Sequence, residues 1–227
     1  MAKDTSSIGS GGGGRTLTVK LKKSAGRSVA SQRWLTRQLN DPYVAAAQKG
    51  GWRSRAAFKL IELDDRFHVL KKGMRVLDFG AAPGGWVQVA LERGAGSVVG
   101  VDLLEIEPIP RAHLIKGDAT DPEVQKQALE LLGGPPDILL SDMAPNTSGH
   151  AATDHVRIVA LAEMALELAF TLLPPGGTFV TKLFQGGAEQ HLLVPMKKRF
   201  ATVRHAKPPA SRKESSELYV VATGFRD

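Results

Sequence analysis

The sequence predicts an α/β fold: a mostly parallel sheet of seven strands with helices on both faces and one antiparallel edge strand. Three observations predict it. Short apolar runs, of the length of buried strands, alternate with helical patterns along the chain. Aspartates stand at or beside the ends of the first four runs, at Asp78, Asp102, Asp118 and Asp142, where ligands of open parallel sheets bind. The last two runs, Thr202 to Ala206 and Leu218 to Thr223, are joined by a basic, non-helical loop (207–216), which makes one edge antiparallel.

The elements follow in order. Residues 5–14 are low-complexity and end in four glycines; with no Lys-Ser/Thr pair and helix behind them, they read as part of a flexible leader, 1–30. Order is expected from near Ser31, where Trp34 and Leu35 appear, and 31–227 is read as a single domain. Pro42 suits the first turn of a short helix capped by Asp41. Ser54 is expected to cap a second helix, from Arg55 to about Phe67. Met74 to Phe79 is a buried strand entering a glycine turn, Val87 to Arg93 a helix, and Ser97 to Val101 a strand ending at Asp102. His113 to Ile115 is the third strand, Pro122 opens a helix to about Leu132, and Asp137 to Ser141 is the fourth. Thr153 is expected to cap the longest helix, to about Leu173, whose Ala/Leu/Met content suits packing on a sheet. Gly177 to Thr181 is a strand ending at Lys182, and a helix from about Ala188 to Arg199 precedes the closing pair.

A chain of 227 residues buries roughly 70% of its unfolded surface and needs no disulfide. It has no cysteine, which excludes thiolate nucleophiles and all-cysteine zinc sites. No apolar run approaches the ~20 residues of a membrane span, and no apolar core follows Lys3, so no membrane partner and a cytoplasmic location are expected. The excess of 30 basic over 23 acidic residues is unevenly placed. Residues 1–40 hold eight basic residues and one acid, residues 76–195 six against fifteen, and residues 196–213 seven against none. An acidic central block between basic flanks suits a polyanion-binding surface assembled from both ends of the chain.

The exit of the first strand reads Asp78-Phe-Gly-Ala-Ala-Pro-Gly-Gly-Trp86. Its glycines allow close approach of a ligand, and the next helix turns its N-terminus there. It lacks the dinucleotide pattern, because position 82 is Ala, and no Walker Lys-Ser/Thr follows, so a pyrophosphate is disfavoured. Asp102 is placed to accept both hydroxyls of a ribose and Asp118 to reach an adenine amino group. A nucleoside without phosphate, bearing positive charge, fits; S-adenosylmethionine has those properties.

Taken with Ser141-Asp-Met-Ala-Pro-Asn146, Val180-Thr-Lys-Leu-Phe-Gln-Gly186, Ser216-Glu-Leu-Tyr-Val-Val221, Tyr43 to Lys49 and Arg53 to Leu60, this segment resembles the FtsJ/RrmJ (RlmE) group of 2′-O-ribose methyltransferases. The resemblance runs in order over about 31–225 and leaves the leader outside it. It implies a Rossmann-like class I methyltransferase fold and methylation of a uridine ribose in 23S rRNA of the large ribosomal subunit. Its implied catalytic set is Lys59, Asp142, Lys182 and Glu217, with Lys182 central, and its implied cofactor contacts are Gly84, Trp86, Asp102, Asp118 and Asp142. A monomer without metal is expected. Two roles for Lys182 stay open: general base, or cationic donor to the developing alkoxide.

Absences narrow the chemistry. Pyrimidine C5 methylation generally needs a cysteine, and amino-group methylation is associated with a paired-proline aromatic turn where this chain has Asp142-Met-Ala-Pro145. His150 and His155 belong to no zinc pattern. Transfer RNA or another RNA is the rival substrate. A non-catalytic RNA-binding ribosome-assembly factor is the rival class, and its mark would be a broken tetrad or an altered glycine turn. RNA contacts are expected from Arg33, Arg37, Arg53, Arg55, Lys197, Lys198, Arg199, Arg204, Lys207, Arg212 and Lys213. Residues 31–73 are read as a helical RNA-contacting segment, and single-stranded or loop RNA as the target.

Overall fold

A computed structural model describes residues 29–144, 151–184 and 189–226. Nearly all of the leader, Asn146, His150, Gln185, Gly186 and Ala188 lie outside the described residues. The helices are α1 (Val29–Leu39), α2 (Pro42–Gly50), α3 (Ala56–Phe67), α4 (Gly85–Glu92), α5 (Pro122–Leu132), α6 (Ala151–Leu172) and α7 (Glu189–Arg199). The strands are β1 (Arg75–Phe79), β2 (Ser97–Asp102), β3 (His113–Lys116), β4 (Ile138–Ser141), β5 (Thr178–Phe184), β6 (Phe200–Ala206) and β7 (Glu217–Phe225).

They form one sheet in the order β3-β2-β1-β4-β5-β7-β6. β1 to β5 pair in parallel, and β7 pairs antiparallel with both β5 and β6. The antiparallel strand therefore sits one place in from the edge. Sheet order reverses direction at β1, whose neighbours are β2 and β4, and this switch point opens a crevice at the carboxyl ends of the strands.

Period-two alternation divides the core. Leu77, Phe79, Leu139, Phe179 and Leu183 face a layer with α5, α6 and α7. Val76, Ile138, Leu140, Val180, Tyr219 and Val221 face α3 and α4. Asp41 caps α2 as expected, accepting from Tyr43 N at 3.0 Å with Pro42 in the first turn. α1 opens the segment read as helical and starts two residues before Ser31; it has no acidic residue in its first turn to mark that start. Two expected caps are corrected. α3 starts at Ala56 after Arg55, with no side-chain cap; the buried Ser54 hydroxyl turns instead toward Gly85, whose added Cβ would lie 2.6 Å away. Thr153 is helical, within α6, and is not its cap.

Candidate active site

Strand register assembles the tetrad. Lys182 of β5 stands opposite Tyr219 of β7, and Phe184 opposite Glu217, so both β7 side chains share the Lys182 face. Ser141 pairs with Thr181, which carries Asp142 off the end of β4 beside Lys182. α3 lies over this face and lowers Lys59 onto it. Lys182 Nζ donates to the Asp142 carboxylate at 2.9 Å and to its backbone carbonyl at 2.7 Å. Lys59 Nζ donates to Glu217 at 3.1 Å and lies 3.8 Å from Asp142 Oδ2. All four predicted catalytic residues thus meet in one cluster, with both lysines buried.

Tyr219 is a fifth member that sequence reasoning passed over. Its hydroxyl donates to Asp142 Oδ1 at 2.6 Å and accepts from Lys59 at 2.9 Å. Burial, then the charges of Asp142 and Glu217, push this phenol well above its usual range and keep it a donor. The signal was present: Glu217 and Tyr219 are two apart in a strand and share a face. Burial alone would raise Asp142, but Lys182, Lys59 and the Tyr219 hydroxyl outweigh it and hold the carboxyl below its usual range.

Beside the tetrad lies a cavity of about 390 Å³, lined by Gly80, Ala82, Asp102, Asp118 and Asp142 among others. Met143, Leu161 and Met164 give it an apolar side. Asp102 accepts from Ala82 N at 2.9 Å and Leu104 N at 2.8 Å, so it also fixes the glycine turn. Asp118 uses Oδ1 for the amide and hydroxyl of Thr120, which lower its pKa, and Asp121, not Asp118, caps α5. Gly80 has φ 75°, and a Cβ there would lie 2.6 Å from Met143 Cγ. Size, apolar side and convergent carboxylates fit a cationic nucleoside.

Two predicted cofactor residues stand back from this cavity. Trp86 is buried, donates through Nε1 to Ala56 O at 2.8 Å and packs 5.8 Å from the Tyr219 ring. What it has left for a ligand is its backbone N–H in the first turn of α4, which has no helical acceptor. Gly84 caps α4 at φ 106° and is hemmed in by Ile109 and Arg53. Asp78 also departs from the strand-end picture. Both its oxygens are buried without a hydrogen-bond partner, and burial, then Asp142 and Asp102, raise its pKa well above the usual carboxylate range.

The described basic residues of the C-terminal flank divide between two ends of the sheet. The 207–216 loop docks on the N-terminal helices: Ala210 N donates to Glu62 at 2.7 Å, Arg55 donates to Ala210 O, and Asp41 holds Arg55 at 2.8 Å and Arg212 at 3.4 Å. Tyr43 donates to Glu62 at 2.9 Å, and burial with this bond pushes its phenol up to about 12. The 207–216 loop and the segment from Asp41 to Glu62 therefore meet beside the tetrad. Lys197, Lys198 and Arg199 do not join them, because β6 enters the sheet at Phe200, opposite Phe225 at the far end. Arg199 lies over the rings of Phe170 and Phe225, 4.7 and 5.0 Å from their centres. Arg53 and Lys207 spend their donors on backbone carbonyls. Among the described residues no group of three metal-ligating side chains occurs, and no helix is long and apolar enough to cross a membrane.

The FtsJ-like methyltransferase family model matches residues 52–225. The ribosomal RNA large subunit methyltransferase E of Granulibacter bethesdensis is 67% identical over 214 residues, covering 94% of this chain and 93% of that protein. The protein of the same name from Gluconobacter oxydans is 63% identical over 93% of this chain and 79% of its own length. A solved Plasmodium falciparum chain assigned as a ribosomal RNA methyltransferase superposes with a TM-score of 0.70 at 33% identity, over 77% of this chain and 98% of that one. A seven-stranded sheet with its crevice at the β1 switch point, and a family match spanning every strand of it, establish that this chain belongs to the FtsJ-like methyltransferase family.

Proposed function

We propose that the chain methylates the 2′-hydroxyl of a uridine ribose in 23S rRNA of the large ribosomal subunit, with S-adenosylmethionine as donor. The observation that carries the proposal is the convergence of Lys59, Asp142, Lys182 and Glu217 at the rim of the carboxylate-lined cavity. Asp102 and Asp118 are the residues to hold the adenosine, and the first-turn N–H groups of Gly85 and Trp86 supply donors at the glycine turn. The donor would supply a methyl activated by cationic sulfur; transfer would break the C–S bond, form the C–O bond, leave a neutral thioether and pass the hydroxyl proton to solvent water.

The protein's part is alignment and charge. Lys182 Nζ gives two N–H groups to Asp142, and an ammonium has three, so one remains for the attacking oxygen. This favours Lys182 as the cationic donor that steadies the developing alkoxide. Asp142 fixes Lys182, Glu217 fixes Lys59, and Tyr219 ties the two pairs together. The intact tetrad and glycine turn speak against a non-catalytic assembly factor. RNA is engaged over α2, α3 and the 207–216 loop, where Arg212 and Lys213 lie at the tetrad's end of the sheet. The test is transfer of labelled methyl to large subunits: Lys182→Ala should abolish transfer while calorimetry still shows cofactor binding, and normal turnover by this variant would overturn the assignment.

A further inference from the structure

Arg53, expected on the RNA surface, is bonded to the opposite side of the glycine turn. It lies in the turn between α2 and α3, whose backbone is gripped by Gln88 of α4: Arg53 N donates to Gln88 Oε1 at 2.8 Å and Gln88 Nε2 to Gly51 O at 3.1 Å. From this anchored base Nη1 donates to Pro83 O at 3.1 Å and to Glu107 O, and Nη2 to Pro108 O at 2.8 Å. Three of its five N–H donors are thereby committed to carbonyls. Its side chain also approaches to 3.3 Å of the place a Cβ on Gly84 would take.

The two segments it joins form adjacent walls of the cofactor cavity. The glycine turn supplies Gly80 and Ala82, and the stretch after β2 supplies Leu103 and Leu104. Between Leu103 and Ala112, the other hydrogen bonds among the described residues are local: Leu104 N to Asp102 and Ala112 N to Ile109 O. Ile109 is buried, but Leu103 and Leu104 are 68% and 67% exposed. Among the described residues, Arg53 is the long-range hydrogen-bonding anchor of this loop.

We propose that Arg53 is a positioning residue for the cofactor: its guanidinium holds the β2–β3 loop against the glycine turn and so sets the cavity wall at Leu103 and Leu104. The inference rests on the reading of this cavity as the S-adenosylmethionine site. It assigns Arg53 to cofactor affinity and removes it from the phosphate-binding set.

Arg53→Ala and Arg53→Lys test this on the full chain. Calorimetry with S-adenosylmethionine, steady-state methylation of large subunits, and hydrogen exchange over 103–112 are the readouts. Arg53→Ala should raise the cofactor Kd and KM about tenfold, the scale of losing one or two charge-assisted bonds. kcat at saturating cofactor should stay within about threefold and the RNA KM within about twofold, with unchanged salt dependence. Exchange across the loop should quicken. Arg53→Lys, which keeps a cation able to reach some of the carbonyls, should recover part of the affinity while remaining folded. A cofactor Kd unchanged in both variants overturns the proposal. So does a loss confined to the RNA KM with a shallower salt dependence, which would make Arg53 a phosphate contact. If the unaltered chain binds no S-adenosylmethionine, the reading of the cavity itself fails.

Discussion

Tyr219→Phe removes one oxygen and leaves the packing in place. The ring is fully buried, 5.8 Å from Trp86, and phenylalanine keeps that contact. The lost hydroxyl donates to Asp142 at 2.6 Å and accepts from Lys59 at 2.9 Å. Lys59 keeps both oxygens of Glu217, and Asp142 keeps Lys182, so neither charge is abandoned. The main loss is a hydrogen bond to a charged acceptor, about 1.5–3 kcal/mol. If that loss is felt in the transition state, kcat falls roughly ten- to 150-fold. Asp142 sits below its usual range because Lys182, Lys59 and Tyr219 outweigh burial, so deleting one of them raises its pKa. A depressed carboxyl contributes stability that is present above its unfolded pKa and lost as pH falls through the folded one. In the variant that loss begins at higher pH, and the acid limb of the kcat profile moves up with it. The assay is steady-state methylation across pH with cofactor saturating. A kcat within twofold of the unaltered chain and an unmoved acid limb would refute the role given to Tyr219.

Three further outcomes are expected. Asp102→Ala removes the acceptor of both Ala82 N and Leu104 N and should weaken cofactor binding at least about tenfold by calorimetry; unchanged affinity would take Asp102 out of the site. Asp78→Asn should raise Tm at neutral pH without cofactor, because a carboxyl whose folded pKa is raised costs stability as pH climbs from its unfolded pKa toward the folded one; thermal melts at acid and neutral pH should show the gain growing with pH, and a lower Tm at neutral pH would contradict it. Arg212→Ala with Lys213→Ala should raise the RNA KM and flatten its salt dependence more than Lys197→Ala with Lys198→Ala, since the second pair ends α7 at the far end of the sheet, and the reverse order would contradict the placement.

The sheet was legible because its strands are short apolar runs and its cavity-lining ends are marked by Asp102, Asp118 and Asp142. The tetrad was legible only through a family pattern, since nothing local joins Lys59 to Glu217 across 158 positions. What sequence could not supply was direction. Lys197 and Lys213 belong to one basic run, yet β6 carries the chain across the sheet between them, a climb of about 20 Å. Trp86 sits in the glycine-turn motif, but period and packing send its indole under Tyr219. Arg53 resembles any exposed cation until the fold brings Pro83, Glu107 and Pro108 to it. Ser54 stands where a cap belongs, but its hydroxyl is buried on the Gly85 side and bonds no helix N–H.

The role proposed for Lys182 is methyl transfer to a ribose 2′-oxygen. Methylation at that oxygen removes the nucleophile of alkaline hydrolysis, so the phosphodiester beside it survives. Large subunits should be incubated with the chain and methyl-labelled S-adenosylmethionine, and their RNA digested to completion in alkali. The label should appear in an alkali-resistant dinucleotide beginning with uridine, and Lys182→Ala should leave that dinucleotide unlabelled. Label recovered in ordinary mononucleotides, or an undiminished dinucleotide from Lys182→Ala, would overturn this role of Lys182.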